Sequence, residues 1–152
     1  MSAETRLLEL SIILPTPPAP AGLYAPLVPV GNLLFVSGQI PISDGTILAH
    51  GKCGDTVSIE EGALLARQCT LNALSLVREH LGSLERVKRV VRVAGYVASA
   101  EGFVEHPKVI NGASQLLIDL FGDAGRHARV AIGVAELPMG VPVEVEFLFE
   151  VG

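Results

Sequence analysis

The hydrophobic pattern is clearest at the C-terminal end of the chain. Val143, Val145, Phe147, Phe149 and Val151 alternate with Glu144, Glu146, Leu148 and Glu150. A period of two predicts a strand with one face in the core and one polar face. Val87 to Ser99 is rich in β-branched residues and predicts another strand, as do Arg129 to Ala135, Val28 to Val30 and Leu33 to Gln39. Gly31-Asn32 reads as the turn between the last two. Residues 7 to 13 (LLELSII) predict a further strand at the start of the chain.

Two segments instead follow the helical period. Ala63, Ala66, Cys69, Ala73, Val77 and Leu81 recur at helical spacing. Ser58 and Glu61 before them form a capping-box pattern, and Gly82 follows as a stop. The second helix starts at Pro107 and runs to about Phe121, with Val109, Ala113, Leu116, Leu117 and Leu120 on one face. Asn111 projects from the opposite side of that helix. The order of elements predicts an α+β fold: one antiparallel-type sheet with two helices covering one face. A length of 152 residues suits one domain, residues 1–152.

Between the first elements lies PTPPAPAG, residues 15 to 22, with four prolines. Proline cannot donate to a sheet ladder, so this segment is an ordered loop or polyproline-type arm. The start of the chain lacks a basic signal-peptide region, and no long uncharged apolar run follows. The cytoplasm is the default location, with no membrane partner.

Composition adds three expectations. Apolar residues make up 49% of the chain and charged residues only 18%, which points to a subunit interface. A net charge of −5 without a concentrated basic face argues against nucleic acid as a partner. The two cysteines and four scattered histidines do not form a disulfide framework or a metal-ligand pattern, so no metal is expected. Cys69, within the helical stripe, reads as a small core residue.

Arg129 is the most conspicuous candidate for chemistry. It begins a strand otherwise built of Val, Ala, Ile and Gly, and its charge must meet water, a carboxylate or a bound anion. It could serve a ligand, sit at a sheet edge, or pair with Glu144 or Glu146. Those glutamates could position a water or be plain solvated surface. Gly38 could admit a ligand close to the backbone or mark a bulge. Tyr24 could reach a neighbouring pocket or simply pack.

Several separated segments together resemble the reactive intermediate deaminase family (RidA/YjgF, endoribonuclease L-PSP-like). Residues 35 to 41, FVSGQIP, look like its strand-end motif. RVAIGVAELPMGVPVEVE, from Arg129 to Glu146, resembles its C-terminal signature. Gly22-Leu23-Tyr24 resembles its Gly-Pro-Tyr segment, and Asn111 matches a family asparagine. Leu23 replaces the usual proline, Ala131 stands where many members carry cysteine, and the loop before the first helix is long.

The resemblance implies a chorismate mutase-like mixed sheet with two helices on one face, assembled as a homotrimer with pockets between subunits. It implies hydrolysis of enamines and imines to a 2-keto acid and ammonia, without metal or cofactor. Arg129 would grip the substrate carboxylate, and Glu144 would position water or move a proton. Ser37 and backbone groups near Gly38 and Ala131 would line the site, and Tyr24 and Asn111 would complete it, at least one of those two from the adjacent subunit. The alternatives are non-catalytic binding of 2-keto acids, an endoribonuclease or translation inhibitor, and a structural trimer. One geometric tension stands: in a simple hairpin of the last two strands, Glu144 lies opposite about Ala135, roughly 20 Å from Arg129.

Overall fold

The computed structural model describes all 152 residues. Its elements in chain order are α1 (Ala3–Glu9), β1 (Leu27–Val30), β2 (Leu33–Gln39), β3 (Ile42–Ser43), β4 (Thr46–Ile47), α2 (Ile59–Leu81), β5 (Val87–Ala98), α3 (His106–Phe121), β6 (Ala128–Val134) and β7 (Val143–Val151). The fold is α+β. One five-stranded mixed sheet has the order β1-β2-β7-β5-β6, and β3 and β4 form a separate two-stranded ribbon.

The first difference from the sequence reading is α1. LLELSII does not make a strand; the chain is helical from Ala3 to Glu9. Ser2 caps that helix, its side chain accepting from the Thr5 amide. Long-range contacts then fix it. The Glu4 carboxylate accepts from the Leu84 amide at 2.9 Å and pairs with Arg78 at 2.8 Å. Ala3 and Leu7 enter the core.

The capping and stop signals of α2 are realised. Ser58 Oγ accepts from the Glu61 amide at 3.1 Å, and Gly82 takes the left-handed conformation at φ 85°. The loop after β2 carries the small ribbon, turned by Asp44 and Gly45, both at positive φ. Asp-Gly is a strong hairpin signal that the sequence reading passed over.

The second difference decides the geometry of the site. β6 and β7 do not form a hairpin, because β5 lies between them. β5 pairs antiparallel with β7 and parallel with β6, so the sheet is mixed rather than simply antiparallel. A parallel neighbour needs a crossover, and α3 supplies it.

The buried side chains of β2, β5 and β7 face the helices. Phe149, Leu34, Val93 and Val97 meet Leu74, Val77, Ile110 and Leu117 there, all fully buried. Cys69 is buried in this core, as the helical stripe predicts, and Cys53 is also free and buried. The covering layer has three helices, not two, because α1 joins α2 and α3.

Directly paired residues project to the same face of a sheet. Register therefore assigns Glu144, Glu146, Leu148, Phe35, Val28, Tyr96 and Ile132 to the face away from the helices. Val28, Phe35 and Ile132 are exposed on it. No helix is long and apolar enough to cross a membrane.

Candidate active site

Two clusters of polar side chains result, one on each side of the sheet. The first lies at the free edge of β6. Arg129 pairs in register with Val93, whose side chain faces the helices. The guanidinium therefore turns toward α3. Its Nη1 donates to Asn111 Oδ1 at 2.7 Å and to Ser114 Oγ at 3.1 Å, and Nη2 approaches the Pro107 carbonyl at 3.5 Å.

No carboxylate forms an ion pair with Arg129. Neither Glu144 nor Glu146 neutralises it, which removes that alternative from the sequence reading. Arg129 is exposed beside a recess of about 220 Å³ lined by Asn111, Ser114, Ile118, Arg126 and His127. The placement of Asn111 off the core face of α3 matches the helical-wheel expectation. Ala131 follows two residues on, half-buried and in register with Gly95.

His127 belongs to the same cluster. Its Nδ1 lies 2.6 Å from the Gly125 carbonyl and its Nε2 lies 2.8 Å from Ser114 Oγ. Burial lowers its pKa, the Gly125 bond opposes this, and the Arg129 charge lowers it further. Neither Ser114 nor His127 stands out in the sequence. Spacing contained the signal: Ser114 follows Asn111 by three on a helix, and His127 precedes Arg129 by two at the start of a strand.

The second cluster lies under the proline arm. A cleft of about 560 Å³ is lined by Pro18, Pro20, Tyr24, Ser37, Gly38, Ile40, Met139, Glu144 and Glu146, among others. The arm predicted from PTPPAPAG is one wall of it. β2 changes register between Val36 and Gln39, a bulge that brings Ser37 and Gly38 to the cleft. A Cβ on Gly38 would run into the Glu144 carboxylate, so glycine is what lets that carboxylate lie across β2.

The Ser37 hydroxyl donates to the Ala25 carbonyl at 2.7 Å. The Tyr24 hydroxyl oxygen accepts from the Ala21 amide at 3.2 Å, which leaves its own hydrogen free for another partner.

Burial raises the Glu144 pKa, and the neighbouring Glu146 adds to the rise. Glu146 is differently placed: it accepts from the Tyr96 hydroxyl at 2.6 Å and sits 3.9 Å from Arg92. That bond to Glu146 raises the Tyr96 pKa, with burial second. The two glutamates therefore divide. Glu146 is tied to Tyr96 and Arg92, and no hydrogen bond or ion pair holds Glu144.

The sequence-derived candidates thus fall into two groups. Tyr24, Ser37, Gly38 and Glu144 meet in the cleft; Arg129 and Asn111 meet at the β6 edge, with Ala131 two residues further along that strand. Within one chain the groups stay apart. Glu144 pairs with Tyr96 and Arg129 with Val93, three positions along β5 and on opposite faces of the sheet. Their backbones are roughly 14 Å apart at standard strand spacings. No group of three or more His, Cys, Asp or Glu side chains is arranged to hold a metal ion.

Comparison with known proteins agrees with this architecture. Residues 4–150 match the family described as "YjgF/chorismate mutase-like, putative endoribonuclease". Protein TCP17 of Trypanosoma cruzi is 45% identical over 145 residues, covering 95% of this chain and 91% of that protein. A crystal structure of an Agrobacterium tumefaciens protein of unknown function superposes with a TM-score of 0.91 at 41% identity, covering 99% of this chain and 92% of that one. A Shewanella oneidensis structure described as a "putative endoribonuclease" superposes with a TM-score of 0.95 at 34% identity, covering 99% of this chain and all of that one. The bulge at Ser37-Gly38, the strand that begins at Arg129 and the alternating last strand all lie inside the matched span: the chain belongs to the RidA/YjgF family.

Proposed function

We propose that this protein hydrolyses small 2-imino acids, and their enamine tautomers, to 2-keto acids and ammonia. In this reading the site is completed between subunits of a homotrimer. The observation that carries the proposal is the Arg129 guanidinium, held by Asn111 and Ser114 with no carboxylate against it. Two of its donor groups, Nε and Nη2, remain largely free to form a bidentate pair with a substrate carboxylate.

One chain supplies half of such a site. The Arg129 edge offers a cation to a carboxylate, and its imidazole, His127, has both ring nitrogens engaged by Gly125 and Ser114 rather than open to a water. The cleft holds Glu144 with its raised pKa and holds no cation. Apposing the β6 edge of one subunit to the cleft of the next brings the halves together. The exposed apolar residues on the helix-free face, Val28, Phe35 and Ile132, support such an assembly. A head-to-tail contact of this kind closes into a ring, which a trimer satisfies.

The chemistry follows from the parts. The iminium form of the substrate, held by its carboxylate, presents C2 to a water beside Glu144. As the water oxygen bonds to C2, Glu144 takes one of its protons. The resulting carbinolamine receives that proton on nitrogen. The C–N bond then breaks as Glu144 takes the hydroxyl proton and that oxygen becomes the carbonyl; ammonia leaves and carries the proton away as ammonium. Atoms balance with one water consumed. In this reading the Tyr24 hydroxyl hydrogen and the Gly38 backbone, which line the cleft, orient the substrate. No step calls for a metal or cofactor.

The test couples the protein to an amino-acid oxidase acting on leucine or methionine, with semicarbazide trapping the imine. Added protein is expected to suppress semicarbazone formation, and the R129A variant is not. Unchanged semicarbazone in the presence of the wild type refutes deamination. If ligand-induced thermal stabilisation by a 2-keto acid persists there, non-catalytic binding takes its place. The endoribonuclease names among the relatives make RNA cleavage, with R129A as the control, the second assay.

A further inference from the structure

We propose that Ser114 and His127 are positioning residues that set the direction of the Arg129 fork, and with it the affinity of the β6 edge for a small 2-oxo or 2-imino carboxylate. The inference rests on the carboxylate-binding reading of Arg129 given above.

The polarity of the hydrogen bonds carries the argument. A carbonyl only accepts, so the 2.6 Å contact with Gly125 requires a hydrogen on His127 Nδ1. In the neutral ring, Nε2 is then bare and accepts the Ser114 hydroxyl hydrogen at 2.8 Å. That leaves a lone pair on Ser114 Oγ for Arg129 Nη1, which can only donate, at 3.1 Å. The chain runs one way, from the guanidinium through Ser114 to His127 and the Gly125 carbonyl.

Burial and the nearby Arg129 charge both favour the neutral ring that this chain requires. Asn111 Oδ1 takes the other Nη1 hydrogen at 2.7 Å. Nη1 is thereby saturated; Nη2 has two hydrogens and spends at most one on its long 3.5 Å contact with the Pro107 carbonyl, so the edge it makes with Nε is the one left to face a ligand. Ser114 is almost fully buried between α3 and β6, so its side chain has little freedom to move aside. These bonds determine which edge of the fork is presented, without touching the ligand.

The test measures 2-oxobutanoate binding by calorimetry for the wild type, S114A, H127F, H127Q and R129A. S114A and H127F are expected to weaken binding about tenfold, the size of one lost charge-assisted bond. H127Q puts an amide oxygen in place of Nε2 and is expected to stay within about threefold. R129A loses binding. Wild-type affinity in both S114A and H127F, with binding lost in R129A, overturns the positioning role and leaves the carboxylate reading intact. Undiminished binding in R129A defeats both.

A second measurement needs no variant. The ring ¹⁵N resonances of His127 are expected to show the Nδ1–H tautomer and to shift when 2-oxobutanoate is added. An Nε2–H tautomer, or resonances unmoved by the ligand, overturns the inference.

Discussion

The β6 edge and the cleft under the proline arm use the same sheet in opposite ways. At the edge, a permanent cation stands on the helix side, fixed by neutral acceptors from α3 and open to solvent. In the cleft, a carboxylate stands on the helix-free side, half-buried beneath Pro18, Pro20 and Tyr24 and crowded by a second glutamate. In the proposed reading the edge serves binding, because its cation cannot lose its charge and the His127 ring has both nitrogens engaged, by the Gly125 carbonyl and by Ser114. In the same reading the cleft serves proton transfer, because burial and the neighbouring Glu146 raise the pKa of its carboxylate. Each lacks what the other has. That division of labour is the reason to read them as two halves of one site.

The largest expected effect comes from removing the binding half. In this reading R129A loses two charge-assisted hydrogen bonds to substrate, worth about 1.5–3 kcal/mol each, so kcat/KM falls by about 10²- to 10⁴-fold. Steady-state measurement in the semicarbazide-coupled assay checks this. E144Q removes the proton-transfer half and lowers kcat by about 10²–10³-fold, with 2-oxobutanoate affinity nearly unchanged. A similar loss of affinity in E144Q would erase the distinction between the halves.

G38A is the finer probe. The new methyl displaces the Glu144 carboxylate without deleting it. A shift of about 1 Å costs about 10²-fold in rate, and an unaltered kcat would show that Glu144 need not lie where it does.

The stability effect is smaller, and its sign follows from linkage. Folding raises the Glu144 pKa, chiefly through burial. Between the unfolded and folded values, the folded chain therefore holds more protons than the unfolded one. Stability from this residue is greatest below the unfolded pKa and is lost as pH rises through the folded pKa. E144Q escapes that loss. Its Tm is expected to exceed the wild type's near neutral pH, and the gap is expected to close in acid. A constant gap across a pH series would remove burial as the cause.

Local rules made much of the fold legible in the sequence. The Val/Glu alternation gave β7, and Ser58 with Gly82 bounded α2, because strand period and helix caps act within a few residues. The start of the chain was misread because LLELSII is short and fits either period. What decides it is tertiary: Glu4 reaching the Leu84 amide and Arg78. The parallel pairing of β5 with β6 was equally hidden, since it depends on where α3 returns the chain.

The candidate site divided in the same way. Arg129 stood out as a charge in an apolar strand, and the family motifs marked Tyr24, Gly38, Asn111 and Glu144. Ser114 and His127 escaped notice because each is ordinary beside its sequence neighbours. They become a pair only when the middle of α3 meets the residue just before β6.

Complementation between the two half-sites tests the account most directly. R129A and E144Q chains, each inactive alone, are unfolded together and refolded as a mixture. If every site joins the β6 edge of one subunit to the cleft of the next, random mixing in a ring leaves about one quarter of the sites with both wild-type halves. The account predicts recovery of about that fraction of wild-type deaminase activity in the mixture. A refolded mixture as inactive as its parents, beside a wild-type control that regains activity, would contradict it.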